Sequence, residues 1–344
     1  MKKTIKYLSI IILIIIIPLA IILYTSVLGS NIKETKTGFT ELFVGENVTL
    51  DILLNDSLPL GKIINHKRTI LLTAKLKRFS GYVKPGKYII KEGMSNNELI
   101  NIFRSGNQNP ITLTFNNIRT KNDLAGNLGK QLLADSVEIL NILNNTSFLA
   151  SQGFNTFTAV CPFLPDSYEV YWTISPKDLY ERMVYEYNKF WTQDRLNKAK
   201  ALGMTPDQVI TLASIVNEES NFSKEQPVIA GLYINRLKRG YLLQADPTLK
   251  FALNDFEKQR VINEDKEIDS PYNTYKFKGL PPGPIRIPTK TAIDAVLNYK
   301  KHKYLYMCAK ADFSGEHHFS ETFSEHKKYA TEYQKKLNSM RIYK

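Results

Sequence analysis

Residues 7–28 carry no charged side chain and are mainly isoleucine and leucine, and Lys2, Lys3 and Lys6 stand directly before them. A helix of that length covers about 30 Å of hydrocarbon, and in hydrocarbon every backbone N–H and C=O must find its partner within the segment. The run therefore predicts a transmembrane helix. The positive-inside bias keeps the lysines in the cytoplasm and sends everything after Ser30 to the far side of the cytoplasmic membrane. A cleaved signal peptide is the competing reading, against which stand the length of the run and the lack of an Ala-x-Ala site after it. No cysteine follows closely, so a lipid attachment has no residue to use there.

The rest of the 344-residue chain, 43% hydrophobic overall, is long enough for two domains with cores of their own. A formal net charge of +13 would suggest nucleic acid for a cytoplasmic protein. The topology excludes nucleic acid and leaves anionic wall polymers or lipid head groups, and an ordinary basic surface accounts for the charge equally well. Cys161 and Cys308 leave both a disulfide and two reduced thiols open. No metal-ligand spacing and no phosphate-binding or dinucleotide glycine pattern occurs, so neither metal nor cofactor is expected.

The pattern predicts an α+β chain. Over residues 38–105, β-rich runs at 39–52 and 86–90 alternate with helical or mixed segments at 58–66 and 69–76 and a short helix at 96–104. That helix is announced by Ser95, with Glu98 closing a capping box behind the Gly93 turn. Strand, glycine turn and capped helix resemble the opening of a LysM module, which binds N-acetylated glycans; a purely structural subdomain fits the same grammar. Farther on, a strand is expected at 111–115, helices at 122–132, 136–143, 176–202, 205–219 and 225–239, and an aromatic loop at 162–172. Three loops then gather polar and aromatic groups: QADPT at 244–248, SPYNTYKFKGLPPGPI at 270–285 and GEHHF at 315–319. Prolines and glycines fix such loops, whose hydroxyls, amides and aromatic faces suit carbohydrate. Turns with internally satisfied side chains would look the same.

The helix after Thr205 ends in SIVNEES, residues 214–220. At about 100° per residue, Val209, Leu212, Ala213 and Val216 form one stripe, and Glu219 lies roughly 70° from its middle. Burial at that border raises a carboxyl pKa and lets the group keep a proton near neutral pH, as a general acid must. A half-buried glutamate paired to a lysine is the plainer reading. Glu218 falls on the expected solvent face, where Glu218→Gln should be nearly silent.

Taken in order, FLPDSY, ASIVNEES, INRL, LQADPT, SPYNTY with GLPPGPI, YLY and GEHHF resemble the endolytic murein transglycosylases of the YceG-like family, from the anchor to about His326. The resemblance implies a membrane anchor over 1–30, a LysM-like subdomain over 31–107 and a mixed α+β catalytic domain over 108–344. It also implies cleavage of the bond between N-acetylmuramic acid and N-acetylglucosamine in nascent peptidoglycan strands, giving 1,6-anhydro ends that terminate elongation. The family's catalytic glutamate precedes a small residue and so maps onto Glu219. Asn217 stands where the family often has glutamate, which implies a supporting role. Gln244, Asp246, Tyr272, Asn273 and Thr274 are implied as substrate-binding, with Asp246 the candidate second carboxylate and also a natural turn or cap residue. His317 would orient Glu219 or bind substrate. Expected partners are glycan strands, the lipid bilayer and penicillin-binding synthases. A hydrolase at the same bond, and a non-catalytic tether that holds synthesis machinery to glycan, are the two alternatives.

Overall fold

A computed structural model describes residues 2–258 and 260–340, which fold into two compact units, Met1–Leu113 with Tyr168–Ile174, and Thr114–Ser167 with Ser175–Lys344.

The first unit opens with helix α1 (Lys2–Leu28), whose stretch Ile10–Leu28 is long and apolar enough to cross a membrane and contains no residue that is fully buried in the protein. Strand β1 (Phe39–Val44) and helices α2 (Leu50–Leu53), α3 (Pro59–Ile63) and α4 (Lys67–Leu76) precede strand β2 (Gly86–Lys91) and helix α5 (Asn96–Ser105). The strand expected over 39–52 is thus shorter: Thr49 accepts the Ile52 N–H and turns the chain into α2. β1 and β2 are antiparallel, from Phe39 opposite Lys91 to Val44 opposite Gly86. Alternation sends Leu42, Val44, Tyr88 and Ile90 to one face, where they pack with Ile70, Leu99, Ile100 and Phe103 in one core. The capping box is formed, with Ser95 Oγ accepting from Glu98 N and the Glu98 carboxylate accepting from Ser95 N at 2.8 Å. The Ser95 N–H and the Ser95 hydroxyl, which also donates to Glu98 Oε2 at 2.7 Å, hold the Glu98 carboxyl below its ordinary pKa. Strand β3 (Pro110–Thr114) pairs with β4 (Ser167–Tyr171), which occupies the expected aromatic loop because Tyr168 and Val170 are buried alternately with exposed neighbours. Trp172 meets Phe43 edge-on with ring centroids 5.3 Å apart.

The end of α1 is built into this unit. Asn31 is 3% exposed; its amide donates to Asn96 Oδ1 at 2.7 Å and its own oxygen accepts from His66 N at 2.7 Å. Asn96 in turn donates to Ser26 O and to Thr69 Oγ1, at 2.8 and 2.9 Å. This buried polar cluster fastens Asn31 to α4 and α5.

In the second unit, helices α6 (Lys121–Gly129), α7 (Ser136–Asn144) and α8 (Thr146–Ser151) lead to α9 (Pro176–Phe190) and α10 (Gln193–Leu202). One helix was expected over 176–202. It breaks at Trp191, where ψ is 71°, and restarts when Thr192 accepts the Arg195 N–H. Helix α11 (Pro206–Glu219) starts at the Thr205 and Gln208 capping box, and α12 (Gln226–Lys238), α13 (Asp246–Leu253) and α14 (Lys290–Leu297) pack against it. It buries Val209 through Asn217 on all sides, more than the stripe expected. Its polar groups are therefore used internally: Ser214 Oγ accepts from Ile285 N at 3.0 Å and Asn217 Oδ1 from Thr289 N at 2.9 Å. The hairpin β5 (Tyr306–Ala309) and β6 (His317–Ser320) and helix α15 (Phe323–Ser339) complete the unit. Cys161 and Cys308 are both free thiols.

Helix α12 lies so close to the following chain that a Cβ at Gly231 would stand 2.3 Å from Lys300 O and 2.7 Å from His302 Nε2. Backbone cannot yield there as a side-chain tip can. Gly231→Ala should lower unfolding stability by about 1–3 kcal/mol, read from the midpoint of denaturant unfolding.

Candidate active site

Glu219 is the last residue of α11, and the backbone leaves the helix immediately as Ser220 becomes extended with ψ 131°. Its carboxyl reaches an open recess of about 350 Å³ in the second unit. Tyr233, 2% exposed on the neighbouring α12, donates its hydroxyl to Glu219 Oε1 at 2.5 Å. Among the described residues Oε2 has no hydrogen-bond partner. Burial pushes the Glu219 pKa up to about 7; the Tyr233 hydroxyl and Lys250 oppose the rise, and the charges of Asp246 and Glu218 add to it. Such a carboxyl carries an exchangeable proton near neutrality with one oxygen free to deliver it.

One turn beyond Tyr233, Arg236 organises the wall. It is 8% exposed and donates to Leu305 O at 2.7 Å, Leu243 O at 2.8 Å and Gln244 Oε1 at 3.2 Å, with its guanidinium 5.4 Å from the Tyr306 ring centroid. Two chain segments, 243–244 and 305–306, are thereby pinned to one side chain. Gln244 adopts φ 50°, a left-handed conformation that a non-glycine residue keeps only when its surroundings impose it. Here Gln244 N donates to Thr274 O and Ala245 N to Thr274 Oγ1, both at 3.0 Å. The chain then enters α13 with Asp246 as its first residue, and Asp246 Oδ1 accepts from the Tyr275 hydroxyl.

Of the residues singled out in the sequence, Glu219, Gln244, Asp246 and His317 line the recess. His317 makes no hydrogen bond to Glu219. Its Nδ1 lies 3.0 Å from Glu225 Oε2 and its backbone N–H donates to Glu225 Oε1, so Glu225 fixes the ring and Tyr233 takes the orienting contact. Asn273 and Thr274 are buried beneath the wall. Asn273 Nδ2 donates to Lys266 O and Ile268 O at 2.8 Å, and Thr274 Oγ1 lies 2.8 Å from Thr248 Oγ1. Their polar atoms are committed to loop structure, which places Tyr275 and Asp246. Tyr272 packs on Phe251 with centroids 4.6 Å apart and lines a separate cavity with Phe157 and Arg119.

The expected solvent-face position of Glu218 is overturned. Its carboxylate takes Arg119 Nε at 2.9 Å and Arg286 Nη1 at 3.2 Å, and Arg286 also donates to Asn117. Residues distant in sequence bring these cations to the outer side of α11, where a helical wheel sees only solvent. Tyr233, Arg236 and Tyr275 were missed as well. Tyr233 sits one residue before the INRL motif, and Tyr275 closes SPYNTY.

The pattern of the YceG-like family matches residues 52–332. A Bacillus subtilis protein named endolytic murein transglycosylase is 36% identical over 178 residues, 52% of this chain and 46% of that protein. A Streptococcus pneumoniae serotype 2 protein of the same name is 27% identical over 281 residues, 72% of this chain and 50% of its own length. The chain spans half or slightly less of the length of these curated relatives. A crystal structure of a YceG-like protein from Listeria monocytogenes superposes with a TM-score of 0.58 at 24% identity, covering 85% of this chain and 99% of that one, and shares its fold.

Two expectations follow from this electrostatic layout. Glu218→Gln leaves the buried Arg286 without its carboxylate and should cost about 1–3 kcal/mol in thermal or chemical unfolding. Glu219→Gln should have the opposite sign. A carboxyl whose folded pKa is raised from 4.5 to about 7 destabilises the fold progressively as pH rises between those values. The Gln variant should therefore match the wild type near pH 4 and exceed it by roughly 1–3 kcal/mol at pH 8.

Proposed function

Because the chain belongs to the YceG-like family, we propose that it is a lytic transglycosylase acting within peptidoglycan strands, with Glu219 as general acid and then general base. The observation that carries this reading is a carboxyl poised near pH 7 by burial, oriented through one oxygen by Tyr233 and open to the recess through the other. Protonated Glu219 gives its proton to the glycosidic oxygen between N-acetylmuramic acid and N-acetylglucosamine, and the C1–O bond breaks through an oxocarbenium-like state. The muramyl 6-hydroxyl then adds to C1 while the Glu219 carboxylate removes its proton. A 1,6-anhydro end forms, and Glu219 regains the proton it began with. The nucleophile is part of the substrate, so no protein nucleophile and no activated water is required. Gln244, Asp246 and His317 contact the sugars, and Asn273 and Thr274 act by holding that wall. Tyr272, outside the recess, is reserved for more distant parts of the strand.

The rest of the proposed architecture follows the family. α1 anchors the protein in the cytoplasmic membrane with the remainder on its outer side; residues 31–107 form a LysM-like subdomain and residues 108–344 the catalytic domain. Anchored there, the enzyme meets strands as synthases of the penicillin-binding type release them, and cutting ends their elongation. The non-catalytic tether, which needs no titrating carboxyl, is not favoured.

Purified peptidoglycan digested with the full chain in detergent should yield muropeptides one water lighter than hydrolytic products by mass spectrometry. Glu219→Gln should lower the rate by about 10²- to 10⁴-fold. Fully reducing ends would point to a hydrolase, and undiminished cleavage by the variant would remove Glu219 from the mechanism. The wild-type rate should fall as pH rises through about 7, where Glu219 gives up its proton. Tyr233→Phe loses a donor that favours the carboxylate, so this decline should move to higher pH with a rate loss of about tenfold.

A further inference from the structure

Helix α4 keeps an apolar face outside the core of the first unit. Ile70, Thr73 and Ala74 point inward, whereas Leu71, Leu72 and Leu76 are 41%, 42% and 53% exposed. At about 100° per residue the side chains of Arg68 and Lys75 fall between Leu71 and Leu72, giving one exposed face of three leucines and two cations. Helices that lie in a lipid head-group layer have this composition, with apolar chains for the acyl boundary and cations for anionic head groups.

The location of the face names its occupant. Thr69, Leu72 and Leu76 follow one another along a single stripe of α4, and the Thr69 hydroxyl accepts from Asn96, whose amide also donates to Ser26 O at the end of α1. The stripe thus begins where α1 enters the folded unit. Asn31, buried in the same cluster, leaves no free linker between them.

We propose that the exposed face of α4 seats in the lipid surface beside the exit of α1, so that the first unit rests on the bilayer and is not held away from it. This rests on the reading of α1 as a membrane anchor. The leucines enter the acyl boundary, while Arg68 and Lys75 reach back to lipid phosphates.

The test uses the full chain in vesicles. With Cys308 replaced by serine and Cys161 buried, single cysteines at Ile22, Leu72 or Leu76 are labelled with an environment-sensitive fluorophore. Vesicles of phosphatidylcholine, with or without phosphatidylglycerol, carry a shallow lipid-borne quencher. The proposal expects quenching at Leu72 and Leu76 as well as Ile22, stronger at the two α4 positions with phosphatidylglycerol and weaker there in about 0.5 M salt. Quenching at Ile22 alone would overturn the seat and leave the anchor standing. No quenching at Ile22 would overturn both. A blue shift at Leu72 and Leu76 that depends on protein concentration and not on the quencher would give the face to a second copy of the chain, and the seat would be wrong.

Discussion

The burial of α11 from Val209 to Asn217 is the constraint on which the second unit depends. A helix enclosed from Val209 to Asn217 cannot rotate or slide without breaking its contacts with α12, α13 and α14, and its polar side chains tie down Ile285 and Thr289 as they satisfy themselves. Glu219 is where that enclosure stops. The partial negative charge of the helix C-terminus acts in the same direction as desolvation, disfavouring a second negative charge. One hydroxyl from Tyr233 keeps the carboxyl aimed while part of this cost remains.

Around this fixed point the wall is assembled from parts that would not hold alone. Gln244 occupies a left-handed conformation, Asp246 opens a short helix, and β5 is a brief strand. Arg236 joins the first of these to the approach to β5 through carbonyl and amide oxygens, and Thr274 joins the first to the second. The energetic cost of burying a guanidinium is offset in part because Nε donates to Leu305 O and Nη1 to Leu242 O, Leu243 O and Gln244 Oε1. Rigidity here comes from polar cross-links between loops, and the hydrophobic core supplies the platform beneath them.

What could be read from the sequence was what local chemistry determines. The Thr205–Gln208 and Ser95–Glu98 capping boxes start their helices where the pattern put them, and the helical period placed Glu219 at a burial border. β4 carried a period-two signal in Tyr168 and Val170 that the surrounding aromatics obscured, and α13 had a proline just inside its start. Contacts over long separations were not legible. Nothing near Glu218 announces Arg119 or Arg286, and nothing in SPYNTY tells that Asn273 and Thr274 face inward while Tyr275 faces Asp246. Loop residues of similar chemistry divide between building a site and lining it, and only the fold makes that division.

The Asn31–Asn96–Ser26 cluster has a mechanical consequence. Membrane-spanning helices with this much apolar length adjust to bilayer thickness by tilting, and a flexible connector would absorb the angle. Here the last turn of α1 is joined through buried amides to the helices that carry the β1–β2 core, so there is no joint at that point. With α1 as the proposed membrane anchor, a change in lipid thickness that leans α1 leans the whole first unit by the same angle.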